Sequence, residues 1–168
     1  RQLARLYPDH DGEALWVTVE ALLHARAAER PAAMQALDSA RVADPDWFAR
    51  PDMLGYSTYV DRFGGTVDGL AAHVGHLEAL GVRYLHVLAL LKARAGDSDG
   101  GFAVADYLSI EPSLGTMADV ERLTERLRAA RISLCVDLAL NHTADDHRWA
   151  MAAKADDPVY RDFYMVVD

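Results

Sequence analysis

A chain of 168 residues with 17 Lys+Arg against 26 Asp+Glu carries a formal net charge of −9, which excludes the basic face of a non-specific nucleic-acid binder. Hydrophobic residues make up 51% and charged residues 26%, a balance that fills a packed core and excludes wholesale disorder. The lone Cys135 excludes an internal disulfide framework, and no apolar run approaches the ~20 residues of a membrane span.

The chain opens on Arg1 with no charged-then-apolar leader behind it. It closes on Phe163–Asp168, which reads as an extended segment cut off mid-course. The expectation is an internal piece of a longer cytoplasmic protein. Residues 1–50 are helical in pattern. Asp11 offers an N-cap, and Leu15, Val19, Leu22 and Leu23 follow at helical spacing. Pro31 starts a second helix with Met34 and Leu37 on one face. Asp44-Pro45-Asp46 breaks it and Arg50-Pro51-Asp52 reads as a linker.

From about residue 52 the rhythm becomes strand, helix, strand, helix. Leu54–Val60 is rich in β-formers, and Asp61–Gly65 ends it. Thr66 caps a helix carrying Leu70, Val74, Leu77 and Leu80, stopped by Gly81. Val82–Leu90 is apolar on both faces except at Arg83 and His86, the mark of a parallel strand covered by helices. Residues 92–113 read as a long loop. Thr116 caps a helix with Val120, Leu123 and Leu127 inward, and Ile132–Leu140 reads as a buried third strand. Cys135 within it reads as a small buried hydrophobe. Trp149–Ala155 reads as one more helix.

Repeated βα units build either a doubly wound sheet or a barrel. No Gly-x-Gly-x-x-Gly turn follows any strand, which removes the dinucleotide-binding signal and favours the barrel. Residues 51–168 then hold about three of the eight strands of a (β/α)8 fold of ~250 residues.

In such a barrel the loops after the strands line the active face. Asp61 and Arg62 lie in the first, Asp97, Asp99, Phe102, Asp106 and Tyr107 in the second, and Asn141, His142, Asp145, Asp146 and His147 in the third. Carboxylates, an aromatic ring and an imidazole suit a carbohydrate, whose hydroxyls take hydrogen bonds and whose ring face packs on an aromatic. Asp137 is conspicuous because a carboxylate among Val, Leu and Cys needs a partner. His73 and His76 stand three apart on a helix, but no third ligand is near and a solvated face accounts for them.

Asp137-Leu-Ala-Leu-Asn141-His142-Thr143 resembles the Asp-x-x-x-Asn-His signature after the third strand of the α-amylase superfamily, glycoside hydrolase family 13. Gly100–Tyr107 resembles the preceding signature, with Leu114-Gly115-Thr116 downstream. Within the superfamily the chain is most similar to amylosucrases and sucrose hydrolases. The similarity lies in Tyr59–Phe63, in Ser98–Val104 and in Asn141–Trp149. An all-helical N-terminal domain also fits, so the resemblance implies a partial helical domain over 1–50 and the first part of a barrel, truncated before strand 4, over 51–168.

The resemblance implies roles. Asp99 would pair with a distant arginine to close the pocket floor. Phe102 falls where the family usually has a stacking tyrosine, so stacking remains and one hydrogen bond is lost. His142 would donate to a glucosyl hydroxyl, with Asp137 supporting the strand-end network behind it. Asn141 occupies a position that helps bind calcium in many α-amylases, yet amylosucrases resemble the metal-independent branch, so neither a metal nor a cofactor is expected. The expected partners are small carbohydrates, sucrose as donor and an α-glucan as acceptor, with no nucleic acid and no membrane.

Retaining glycosidases use two carboxylates about 5–5.5 Å apart. In this family the nucleophile follows the fourth strand and the acid the fifth, so no catalytic residue is expected within residues 1–168 and the isolated chain should be inactive. The parent would form a covalent β-glucosyl intermediate from sucrose and release fructose. Other α-glucan- or trehalose-active members of the superfamily, or a non-catalytic carbohydrate-binding relative, are the alternatives.

Overall fold

The computed structural model describes residues 2, 5 and 11–165. They divide into two compact units, 1–50 and 51–168.

In the first unit, helix α1 spans Gly12–Glu29 and α2 spans Ala32–Ala43. Asp11 caps α1 as expected, its Oδ1 accepting from the Glu13 and Ala14 amides at 3.1 and 3.0 Å. Pro31 is the N-cap of α2, its carbonyl accepting from the Met34 amide at 2.8 Å. Arg30 pairs with Asp38 at 2.6 Å across the corner between the helices. No residue of α1 is buried, and Leu22 and Leu23 are exposed.

The second unit is built on a three-stranded parallel sheet in the order β1 (Leu54–Tyr59), β2 (Val82–Leu88), β5 (Ser133–Val136). Between β1 and β2 lie the single turn α3 (Val60–Phe63) and helices α4 (Val67–Ala72) and α5 (Val74–Ala79). Helix α6 (Met117–Ala129) precedes β5, and α7 (Arg148–Lys154) follows it. Thr116 forms a full capping box with Asp119 at the start of α6. Leu70, Leu77, Leu85, Leu123 and Leu127 are fully buried between helices and sheet. Each such side chain contributes about 1.5–3 kcal/mol by leaving water.

Four expectations are corrected. The helix from Thr66 to Leu80 is two helices, because the His73 amide bonds to the Leu70 carbonyl while its ring Nδ1 takes the Gly69 carbonyl at 2.8 Å. The ring thus occupies the acceptor that a continuous α-helix would give to the backbone. Second, the loop 92–113 contains an antiparallel pair, β3 (Leu91–Ala93) with β4 (Val104–Ile110). Two register shifts interrupt its alternation, which removes the period-2 signal.

The third strand is also shorter than expected. Its pairing with β2 stops at Val87↔Val136, so Asp137 lies just past the strand rather than within it. It is a sheet edge with Leu138 and Leu140 exposed, and Cys135 is half-buried. Finally, Arg161–Phe163 forms a 3-10 turn ahead of an extended Tyr164, and the part of the expected extended segment at 166–168 lies outside the described residues. Among the described residues no helix is long and apolar enough to cross a membrane.

Candidate functional site

The carboxyl ends of β1 and β2 open onto a cavity of about 480 Å³, lined in part by Tyr59, Asp61, Arg62, Leu88, Ala89 and Gly101. Loops after two parallel strands and the β3–β4 turn therefore share one concave face, where βα folds carry chemistry.

The turn that carries Asp99 and Phe102 is a 3-10 bend over Asp99–Gly101. Ser98 organises it: its Oγ accepts from the Gly101 amide at 3.1 Å and its carbonyl from the Ala103 amide at 2.9 Å. Asp99, Gly100 and Gly101 all hold positive φ, at 52°, 67° and 94°. Glycine at 101 is required twice over, since a Cβ there would lie 2.8 Å from the Ala89 Cβ. Asp99 is exposed and Phe102 half-buried.

The corner after β5 is clamped from β4. Tyr107 Oη donates to the carbonyls of Ala139 at 2.5 Å and His142 at 3.2 Å. Burial pushes the Tyr107 phenol above its ordinary value, and the nearby Tyr164 adds to this, so it remains a neutral donor. His142 Nε2 donates to the Phe102 carbonyl at 3.1 Å, and its Nδ1 lies 3.1 Å from Asn141 Oδ1. The Ala144 amide bonds to the Val104 carbonyl at 2.9 Å. Arg94 spans the outer rim, donating to the Asp97 carbonyl and to Asp145 at 2.7 Å. This hydrogen bond and the adjoining opposite charge raise the arginine and hold Asp145 below the usual carboxylate range.

Beneath the corner, His147 is buried and caps α7, its Nδ1 accepting from the Trp149 amide at 3.1 Å. Its ring packs edge-on against Tyr107 and Trp149, with centroids 5.4 and 4.6 Å away. Burial is the main cause of its lowered pKa; Arg148 lowers it further, and Asp106 and Asp146 oppose.

Asp137 Oδ1 accepts from His86 Nε2 at 2.9 Å, and Oδ2 accepts from the Ala89 amide at 3.2 Å. The other ring nitrogen of His86 meets Ser57 Oγ at 3.2 Å. The structure thus brings Phe102, Asn141 and His142 into one hydrogen-bonded corner, with Asp99 in the same turn as Phe102. Asp137 binds His86 and the end of β2 instead. His86 entered the sequence reading only as a polar exception in an apolar strand. Its signal is that it is a polar side chain inside an apolar parallel strand, where burial calls for a partner. Among the described residues no group of three or more His, Cys, Asp or Glu side chains is placed to hold a metal ion.

The chain matches the α-amylase catalytic domain over residues 30–168. The chain belongs to the α-amylase family. The trehalose synthase of Pimelobacter sp. (strain R48) is 35% identical over 133 residues, 74% of this chain and 22% of that protein. The oligo-1,6-glucosidase of Parageobacillus thermoglucosidasius is 34% identical over 102 residues, 60% of this chain and 18% of that protein. A mutant of the trehalulose synthase MutB, an enzyme from Pseudomonas mesoacidophila MX-45, solved with the substrate sucrose, superimposes with a TM-score of 0.62 at 28% identity, covering 72% of this chain and 22% of that one. The chain spans about a fifth of the length of these curated α-amylase-family relatives. Its parallel βα units correspond to the N-terminal part of the family's (β/α)8 barrel.

Proposed function

We propose that the whole protein carrying these residues cleaves an α-glucosidic disaccharide with retention, with sucrose as donor. Residues 1–50 form part of a helical N-terminal domain, and residues 51–168 supply the ring-binding half of the pocket, ahead of the fourth strand. The observation that carries this reading is the His142–Phe102 hydrogen bond beside the cavity at the strand ends. It fixes an imidazole against the backbone of the aromatic that would lie under the sugar.

In this reading Phe102 stacks on the glucosyl ring, His142 hydrogen-bonds a glucosyl hydroxyl and Asp99 anchors the pocket floor. Asp137 and Asn141 support that arrangement. The nucleophile and general acid come from later strands of the barrel. Attack forms a β-glucosyl-enzyme ester as the bond to fructose breaks, the acid protonates the departing oxygen, and water or an α-glucan hydroxyl then takes the glucosyl group. Sucrose is supported by the Ser98–Val104 run and by the likeness to a sucrose-bound trehalulose synthase. The 35% identity to a trehalose synthase favours trehalose as a second reading.

Incubating the whole protein with sucrose and, separately, with trehalose tests this, with assays for fructose, free glucose and insoluble glucan. Fructose release supports the sucrose reading. Conversion of trehalose alone moves the assignment to the second, and inertness toward both overturns both. The 168-residue chain by itself should turn over neither, and sucrose cleavage by it would overturn the placement of both acids in later strands.

A further inference from the structure

We propose that His86 is a positioning residue that seats the sugar-facing turn 99–102 through Asp137 and Ala89. The proposal rests on the sugar-pocket reading above for its consequence, but its structural claim is separable.

His86 lies on the central strand of the sheet, in register with Ser57 on β1 and Cys135 on β5. Both ring nitrogens are engaged. An ionised carboxylate accepts only, so Nε2 carries a proton toward Asp137, 2.9 Å away. Nδ1 faces the Ser57 hydroxyl at 3.2 Å, so one ring on β2 joins β1 to the residue just past the end of β5.

The second oxygen of Asp137 holds the Ala89 amide at 3.2 Å. Ala89 stands at φ 50°, a left-handed conformation that is strained for a non-glycine residue and persists only where its surroundings impose it. In that conformation its methyl group meets Gly101, so closely that a Cβ at 101 would be 2.8 Å away. Gly101 belongs to the bend that presents Asp99 and Phe102, and the Phe102 carbonyl receives His142. A path of direct contacts therefore runs from the centre of the sheet to the expected sugar contacts. A leucine at 86 would fill the space and leave Asp137 without its ring donor.

Amide hydrogen exchange by NMR on the whole protein, comparing wild type with His86→Leu and His86→Gln, tests the structural claim. In His86→Leu, Ala89 protection should fall at least tenfold and the Gly101 and Phe102 amide shifts should move, with Leu85 and Val87 protection unchanged. His86→Gln, which keeps an N–H donor, should restore Ala89 protection to within about threefold of wild type. Unchanged Ala89 protection in the leucine variant, or equal loss in both variants, overturns the proposal. If the leucine variant does not fold, retention or loss of Ala89 protection in the glutamine variant decides it. In the whole protein, kcat/KM should fall about 10- to 100-fold for His86→Leu and stay within about threefold for His86→Gln. A wild-type protein inert on every α-glucoside defeats the proposed function and leaves the exchange result to judge the relay.

Discussion

The Nε2 of His142 donates to the backbone carbonyl of Phe102 at 3.1 Å, joining the loop after β5 to the turn ahead of β4. The bond spans 40 residues of sequence and orients an otherwise exposed imidazole. Replacing His142 by Ala removes both this bond and the proposed hydrogen-bond partner of the sugar. One hydrogen bond made in the transition state is worth about 1–3 kcal/mol. We therefore expect kcat/KM of the whole protein on sucrose to fall about 10- to 100-fold. Because the side chain is exposed, the urea midpoint should barely move. A large loss of stability with unchanged kcat/KM would assign His142 to the fold instead.

Phe102 offers the converse experiment. In the proposed pocket Phe102 stands where the resemblance implies a tyrosine, and its half-buried ring ends without a hydroxyl. Phe102→Tyr should keep the stacking face and add one hydrogen bond to the substrate, worth about 1 kcal/mol. The expected result is a lower KM for sucrose, by about fivefold, in steady-state assays. No change in KM would place the ring away from the sugar hydroxyls.

The order of the parallel units was legible because its signals are local. Thr66 and Thr116 cap helices as read, and Val82–Leu88 is an apolar run broken only at Arg83 and His86, with a buried face. The β3–β4 pair was not legible, since register shifts on either side of Lys92 destroy the alternation that marks a strand. The break at His73 depends on a side chain capturing a backbone carbonyl, which periodicity does not register. For the site, the roles of Asp99, Phe102, Asn141 and His142 are what the resemblance to the α-amylase superfamily implies, carried by the motifs around them. His86 was not assigned a role, because its meaning depends on Asp137, 51 residues away.

Gly101 gives a test of the turn itself. At φ 94° with a hypothetical Cβ 2.8 Å from Ala89, alanine suffers backbone strain and a clash together. Gly65 also holds positive φ, at 72°, but a Cβ there meets nothing within 4 Å. Gly101→Ala should destabilise by about 1–3 kcal/mol, and Gly65→Ala by about 1 kcal/mol from backbone strain alone. Urea denaturation should rank Gly101→Ala as the more costly. The reverse ranking would mean that Ala89 yields easily and that the seat of the turn is soft.

Leu85 and Leu138 separate burial from mere hydrophobicity. Leu85 is 0% exposed in the centre of the sheet, whereas Leu138 is 60% exposed after β5. Leu85→Ala should cost about 2–5 kcal/mol, since neighbours on the central strand relax only partly into the void. Leu138→Ala should stay within about 0.5 kcal/mol in the same denaturation series. A comparable loss for Leu138 would indicate that this segment is covered in solution.

His147 predicts how stability depends on pH. Burial, helped by Arg148, holds its folded pKa below the ordinary 6.5, while Asp106 and Asp146 oppose. The unfolded chain therefore takes up a proton first as pH falls through about 6.5. Stability contributed by the neutral ring is fully present above that value. It is lost progressively as pH drops toward the lower folded value, and then levels off. Protonation also deprives Nδ1 of the lone pair that accepts the Trp149 amide at 3.1 Å. Urea midpoints at pH 7.5 and 5.5 should fall with pH in wild type. In His147→Asn, which keeps a capping acceptor without titrating, the fall should be shallower. An equal fall in both proteins would move the acid sensitivity to another group.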